Sequence, residues 1–263
     1  MKSLDQFSDD ARRSIKTVLC DIDDTLTTDG HLTANAYGTL ERLQGAGVLV
    51  LPITGRPAGW CDHIARMWPV DAVVGENGAF YFRYDHDTQT FTKTFHATDG
   101  VRAENRKRLD ALRDEILSAV PGSAVASDQL YREADLAIDF CEDVPRLGDG
   151  DVALIVKIFE AAGAIAKVSS VHVNGWFGDY DKLSMTGRAL EECFKIDIEA
   201  DKETIVFVGD SPNDEPMFEF FPHAVGVANI RDFENSLSTL PAYVTPSRGG
   251  KGFTEVAQAL IGA

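Results

Sequence analysis

Basic residues are scarce in this chain. Lys and Arg number 25 against 42 Asp and Glu, giving a formal net charge of −17 and a sequence pI near 4.7. A surface of that sign argues against non-specific binding to nucleic acid or anionic membrane, so any phosphate group must be held locally. Long apolar runs are also missing: none approaches the ~20 residues that span a bilayer. The segment from Met1 to Lys16 is polar and has no signal-peptide core. A cytoplasmic protein without nucleic-acid or membrane partners is expected, as a monomer or homodimer. Cysteine is sparse too. Cys20, Cys61, Cys141 and Cys193 lie far apart, which suits reduced thiols and not a zinc knuckle or disulfide framework. No internal repeat or low-complexity tract is present. What remains is ordinary globular composition, 44% hydrophobic and 25% charged over 263 residues, enough for a core domain and a smaller companion.

One stretch organises the rest. Val18-Leu19-Cys20-Asp21-Ile22-Asp23-Asp24-Thr25 is an apolar run that ends in three carboxylates within four positions. In a parallel α/β sheet the ligand site lies just outside the carboxyl ends of the strands, where Asp21 and Asp23 would both reach. Carboxylates at that density repel unless a cation sits among them, and oxygen ligands favour a hard ion such as Mg²⁺. Taken alone, the same acids could cap a helix or sit on a solvated loop.

The chain around them alternates strand and helix. Ser8 can cap a turn over 9–15 that leads into a strand over 16–20. Thr33 opens a helix with Ala36, Leu40 and Leu43 at helical spacing, and Gly45 and Gly47 stop it before a strand over 48–53. That strand ends in Thr54-Gly55-Arg56-Pro57, by itself no more than a turn with a hydroxyl. A third strand, over 71–74, ends in Gly75-Glu76-Asn77-Gly78. From about Phe80 the pattern changes to a hairpin (80–84 and 90–96), a long charged helix over 99–120, strands over 135–141 and 167–173, and a helix over 151–162. This is read as an inserted α+β unit. The parallel pattern resumes with a helix after Lys182 and a β-branched strand over 204–208 that ends in Gly209-Asp210-Ser211-Pro212-Asn213-Asp214. Short strands over 224–227 and 242–244 and a last helix over 252–261 complete it. The expected fold class is α/β, a Rossmann-like parallel sheet core formed by 1–82 and 179–263, with an α+β cap over 83–178.

Four elements in this order, Asp21-Ile22-Asp23-Asp24-Thr25, Thr54-Gly55-Arg56, Lys182 and Gly209-Asp210-Ser211-Pro212-Asn213-Asp214, resemble the four motifs of the haloacid dehalogenase (HAD) superfamily. An insert between the second and third motifs resembles its type IIB, Cof-like phosphatases of sugar phosphates, and the 74–79 turn also looks like this subclass. Asp24 departs from the pattern, which usually has glycine there. The resemblance implies a Mg²⁺-dependent phosphatase acting on a small phosphorylated metabolite, most simply a sugar or polyol phosphate. Asp21 would attack phosphorus to form an aspartyl phosphate, and Asp23 would protonate the leaving alcohol and then activate water. Mg²⁺ would be held by Asp21, the Asp23 carbonyl, Asp210 and Asp214. Thr54, Gly55, Lys182 and Asn213 would serve the phosphoryl group, with Asn213 orienting Lys182 or a metal ligand, and Arg56 and Asn77 are candidate substrate contacts. A phosphomutase of the same superfamily, or a non-catalytic phosphate or Mg²⁺ sensor, stays open as an alternative.

The cap offers one further pattern. His172, Asn174 and Trp176 fall at every second position of a strand-like run, which puts an imidazole, an amide and an indole on one face, a platform for a sugar ring. Val171, Val173 and Phe177, with a bulge at Gly175, would form the opposite, apolar face. Alternatively Trp176 is only a packing residue.

Overall fold

The computed structural model describes residues 1–169 and 171–262. Its centre is a six-stranded, wholly parallel sheet. The strands are β1 (Lys2–Ser3), β2 (Thr17–Cys20), β3 (Leu49–Pro52), β11 (Ile205–Gly209), β12 (His223–Gly226) and β13 (Tyr243–Val244), in the order β1-β13-β12-β11-β2-β3. An Ile53–Val74 bridge continues it towards β4 (Val73–Gly75).

The strands are apolar on both faces because each face is covered. Val18, Cys20, Val50, Val206 and Val208 pack into one core with residues of α2 (Ala34–Gly45), α3 (Ala58–Met67) and α8 (Gly249–Ile261). Their neighbours Leu19, Leu51, Ile205 and Phe207 pack into a second core with α6 (Lys182–Phe194) and α7 (Glu215–Phe220). That period-2 division is what a doubly covered parallel sheet requires. Helix α1 (Asp9–Ser14) is capped by the Ser8 hydroxyl, and the short β1 pairs with β13 at the sheet edge, a strand the polar N-terminus does not announce.

Strand β4 also begins a three-stranded antiparallel sheet with β5 (Phe80–Asp85) and β6 (Thr90–Phe95). Phe80, Phe82 and Phe95 of this hairpin pack with Cys61 and Ile64 of α3. The boundary expected between 82 and 83 therefore falls inside β5, in a hairpin that packs on a helix of the central sheet.

Another antiparallel sheet, β7 (Ala124–Val125), β8 (Asp135–Asp139), β10 (His172–Trp176) and β9 (Ile165–Val168), has the order β7-β8-β10-β9. The single strand expected over 167–173 is two strands, β9 and β10, paired antiparallel; Ser170 of that span lies outside the described residues. Helices α4 (Asp99–Ala119) and α5 (Asp149–Ala161) cover one face of this sheet, where Leu109, Ile116, Leu136, Ile138, Phe159 and Val173 form a third core. The other face is polar, with Asp135, Asp139, His172 and Asn174 all buried.

Strand β10 runs unbroken. His172 to Trp176 pair residue for residue with Asp139 to Asp135, so no bulge forms at Gly175. Gly175 is there for another reason: a Cβ at this position would collide with the Phe159 ring. The even positions thus face away from the third core without any shift of register, and Phe177 joins Val173 in that core.

Candidate active site

Strand β2 delivers Asp21 to the carboxyl edge of the sheet, where its N–H donates to Val208 O of β11. The loop that follows is built on hydroxyls. Thr27 Oγ1 accepts from Asp24 N at 3.0 Å and donates to Ile22 O at 3.1 Å, while buried Thr25 donates to Asp210 Oδ1 at 3.3 Å. Asp24 has φ 58°, a left-handed conformation that glycine adopts most readily and that Asp tolerates better than most residues. The departure at this position is therefore compatible with the turn.

Next to β2, β11 ends in Gly209 and Asp210. A Cβ on Gly209 would strike the Asp214 carboxylate, which folds back over the backbone to accept from Asp210 N at 3.2 Å. Asp21, Asp210 and Asp214 are all buried, and one carboxylate oxygen of each lies within 4.8 Å of those of the other two. Lys182, the first residue of α6, sends Nζ to Asp21 Oδ1 and Asp214 Oδ1, both at 2.7 Å. The helix start is fixed by a capping box between Asp181 and Ser184, and by the 76–78 turn, which packs so closely that a Cβ on Gly78 would overlap Asp181 O.

Burial pushes the Asp21 carboxyl up to about 7, with the Lys182 charge opposing and Asp214 adding to the rise. Asp210 is driven upward by burial, then by Asp21 and Asp214. Lys182 is buried too, yet its two carboxylate partners outweigh that burial and raise it above the usual lysine range. Three buried carboxylates sharing one ammonium leave an excess of negative charge, and the donor set is all oxygen. Those residues fit a hard divalent cation such as Mg²⁺.

Thr54, fully buried at the end of β3, accepts from Arg56 N at 3.0 Å. Asn77, in a left-handed conformation at φ 55°, packs its amide against Gly55. The Arg56 guanidinium points back across the site: Nε and Nη2 grip Asp23 at 3.0–3.1 Å, and Nη2 also donates to Glu142 Oε1 at 3.2 Å. Arg56 is raised above the ordinary arginine range because Asp23, then Glu142, outweigh the cost of its burial.

A narrow cavity of about 30 Å³ is lined by Asp21, Asp23, Arg56 and Asn77 from below and by His172 and Asn174 of β10 from above. Gly55, Asp210 and Asn213 also line it. The residues singled out in the sequence thus converge on one place, with exceptions. Trp176 is not in the lining; it is buried and stacked on Tyr180 at 5.6 Å between ring centroids, and packs with the first core. The alternation is right but ends in packing, because what lies opposite position 176 is an aromatic ring and not the cavity. Val171 lines the cavity and does not join the apolar face. Asn213 accepts from Ser211 Oγ at 2.8 Å, while the Lys182 ammonium bonds Asp21 and Asp214.

Other residues of the site escaped the sequence reading. Asn229, just beyond β12, donates to Asp210 Oδ2 and to Asp24 O, both at 2.9 Å. The signal for it existed, since it is polar and near a strand's carboxyl end. Arg132, buried in the inserted segment, donates to Gly55 O at 3.0 Å and grips Asp128 and Asp135. Glu76 Oε1 accepts from the N–H groups of Ala58 and Glu133 at 3.0 and 2.9 Å, and Oε2 from those of Ala134 and Asp135 at 2.6 and 3.2 Å. One carboxylate therefore ties the start of α3 to the segment entering β8.

Residues 18–103 match the haloacid dehalogenase-like hydrolase family. The fold and this set of strand-end acids agree with that match. The chain's fold is similar to that of a HAD/Cof-like hydrolase from Plasmodium vivax, which superposes with a TM-score of 0.68 at 16% identity, covering 97% of this chain and 99% of that one. A phosphoglycolate phosphatase of Methanobrevibacter smithii is 25% identical over 256 residues, 94% of this chain and 99% of its own. The sucrose-phosphatase of Synechocystis, solved with sucrose and phosphate, has a TM-score of 0.64 at 15% identity, covering 95% of this chain and 98% of that one. No helix among the described residues is long and apolar enough to cross a membrane.

Proposed function

We propose that this hydrolase is a Mg²⁺-dependent phosphatase of small phosphate monoesters, of the sugar or polyol type, working through an aspartyl phosphate on Asp21. The observation that carries this reading is the Asp21–Lys182–Asp214 arrangement beside Asp210, at adjacent strand ends and beside a narrow cavity. The names of the phosphoglycolate phosphatase and sucrose-phosphatase relatives support the same class.

In this reading an Asp21 oxygen attacks phosphorus, and the bond to the leaving oxygen breaks with a proton supplied by Asp23. Asp23, now a carboxylate, takes a proton from water, whose oxygen attacks phosphorus and frees Asp21 with release of inorganic phosphate. Thr54 and Lys182 hold phosphoryl oxygens, and Lys182 keeps Asp21 aimed into the cavity. Mg²⁺ bound by Asp21, the Asp23 carbonyl, Asp210 and Asp214 would supply charge neutralisation for the transferred group. The inserted unit acts as a lid: a cavity of about 30 Å³ holds little more than a water or two, so it must open to admit an ester.

The test is a phosphate-release screen over sugar, polyol, nucleotide and cofactor phosphates, with Mg²⁺ and EDTA arms. Release that needs Mg²⁺ and is strongest for a sugar or polyol phosphate is expected. Intramolecular phosphoryl migration without net release would identify a mutase, and no turnover of any ester, p-nitrophenyl phosphate included, would sink the assignment.

A further inference from the structure

The surroundings of the cavity, core and lid together, hold more acid than the phosphoryl chemistry uses. Arg56 and Arg132 are the guanidiniums there, and their carboxylate partners are Asp23, Glu142, Asp128 and Asp135. Four carboxylates against two guanidiniums leave a formal excess of two negative charges. Arg132 is gripped on both sides by Asp128 and Asp135, and Arg56 is held by Asp23 and Glu142, with Asp128 3.8 Å away.

Asp128, Asp135 and Glu142 all come from the inserted unit and belong to no step above, and Glu142 is the one of the three that is not buried. Its Oε1 accepts from Arg56, and its Oε2 lies 2.8 Å from His172 Nε2. The backbone beneath it is pinned. Buried Asp139 accepts from the N–H groups of Cys141, Glu142 and Asp143 at 2.8–2.9 Å, fixing the turn after β8. Glu142 is not itself in the cavity lining, but it bridges two residues, Arg56 and His172, that are.

We infer that Glu142 is a specificity residue that rejects esters whose alcohol carries a second negative charge and favours neutral, hydroxyl-rich leaving groups. Carboxylates accept from sugar hydroxyls, whereas an added carboxylate or phosphate would meet like charge in a partly desolvated site. Glu142 can act in this way only if Asp21 performs the phosphatase chemistry proposed above. The inference separates this chain from its Methanobrevibacter relative, because phosphoglycolate itself carries a carboxylate.

Glycerol 3-phosphate and 3-phosphoglycerate differ at one position, a hydroxymethyl against a carboxylate, and so isolate the charge. The wild type should prefer glycerol 3-phosphate in kcat/KM by about tenfold or more, the scale of one unfavourable charge contact. Glu142→Gln and Glu142→Ala should each shrink that preference by about tenfold, while Glu142→Asp keeps it. Thermal melts identify which variants are folded, and either neutral variant suffices. A wild type that handles 3-phosphoglycerate as well as glycerol 3-phosphate would overturn the inference, as would folded neutral variants with an unchanged ratio. Mg²⁺-dependent release from p-nitrophenyl phosphate is measured alongside. If it persists in either of those cases, only the role of Glu142 fails; if the wild type releases phosphate from none of the three, the phosphatase assignment fails and takes this inference with it.

Discussion

Arg56 meets Asp23 with Nε shared between both carboxylate oxygens and Nη2 on Oδ1, all at 3.0–3.1 Å, while its guanidinium carbon lies 4.6 Å from the Trp60 ring centroid. Both oxygens that could carry a proton to a leaving group are thus engaged by the arginine. For Asp23 to act as acid, the guanidinium must release at least one of them as the substrate arrives. On the proposed mechanism Arg56 is a positioning residue, and a lysine would replace a planar fork by a point charge. Arg56→Lys should lower kcat for an alkyl phosphate by roughly ten- to a hundredfold, with a smaller loss on p-nitrophenyl phosphate, whose leaving group needs little protonation. Equal losses on the two substrates would separate Arg56 from Asp23.

The acid cluster sets a prediction that does not depend on turnover. Asp21, Asp210 and Asp214 repel one another around one ammonium, so Mg²⁺ should stabilise the fold. At a hundredfold excess over Kd the gain is about 2.7 kcal/mol, or on the order of 5–10 °C in Tm. Asp21→Asn keeps the shape and an acceptor for Lys182 but removes the proposed nucleophile. Its turnover should vanish, its fold should persist by circular dichroism, and its Mg²⁺-induced shift in Tm should shrink. An undiminished shift would mean that Mg²⁺ binds elsewhere.

Glu76 is buried and gives each of its oxygens two backbone N–H donors. Glu76→Gln turns an NH₂ group towards donors and leaves them unsatisfied. A loss of about 2 kcal/mol is expected, read as a lower midpoint in urea with little change in slope. Unchanged stability would show that the 133–135 segment does not need this carboxylate.

The contact of Glu142 with His172, and secondarily the Arg56 charge, hold its carboxyl down at about 2 against the opposing effect of burial. An acid depressed on folding contributes stability above its unfolded value near 4.5, and loses it as pH falls towards the folded value. Any Tm advantage of the wild type over Glu142→Gln at pH 6 should therefore narrow as pH drops from about 4.5 towards 2. Melts of the two proteins across pH 3 to 6 check this, and a gap that widens on acidification would contradict it.

The strand-end acids were legible because they depend on local pattern. Asp21 and Asp210 each follow an apolar strand, and adjacent parallel strands bring such ends together whatever the loops do. Lys182 was legible only in their company. The lid side was not readable in the same way. Arg132 and Glu142 reach the site through the pairing of β8 with β10 and the turns around it, and no spacing in the chain announces that pairing. Trp176 shows the limit from the other side: alternation fixes which way an indole points, and only the fold reveals Tyr180 waiting there.

Strand β10 divides its duties by parity. Odd positions are locked: Val173 is fully buried and Gly175 has no room for a methyl group beneath Phe159. Even positions 172 and 174 line the cavity and lie outside the third core, although Asn174 also donates to buried Asp135 at 2.9 Å. The strand is therefore a place where selectivity can drift while foldability stays put. A codon library confined to 172 and 174 should return mostly folded proteins with altered substrate ranking, whereas one confined to 173 and 175 should return mostly unfolded ones.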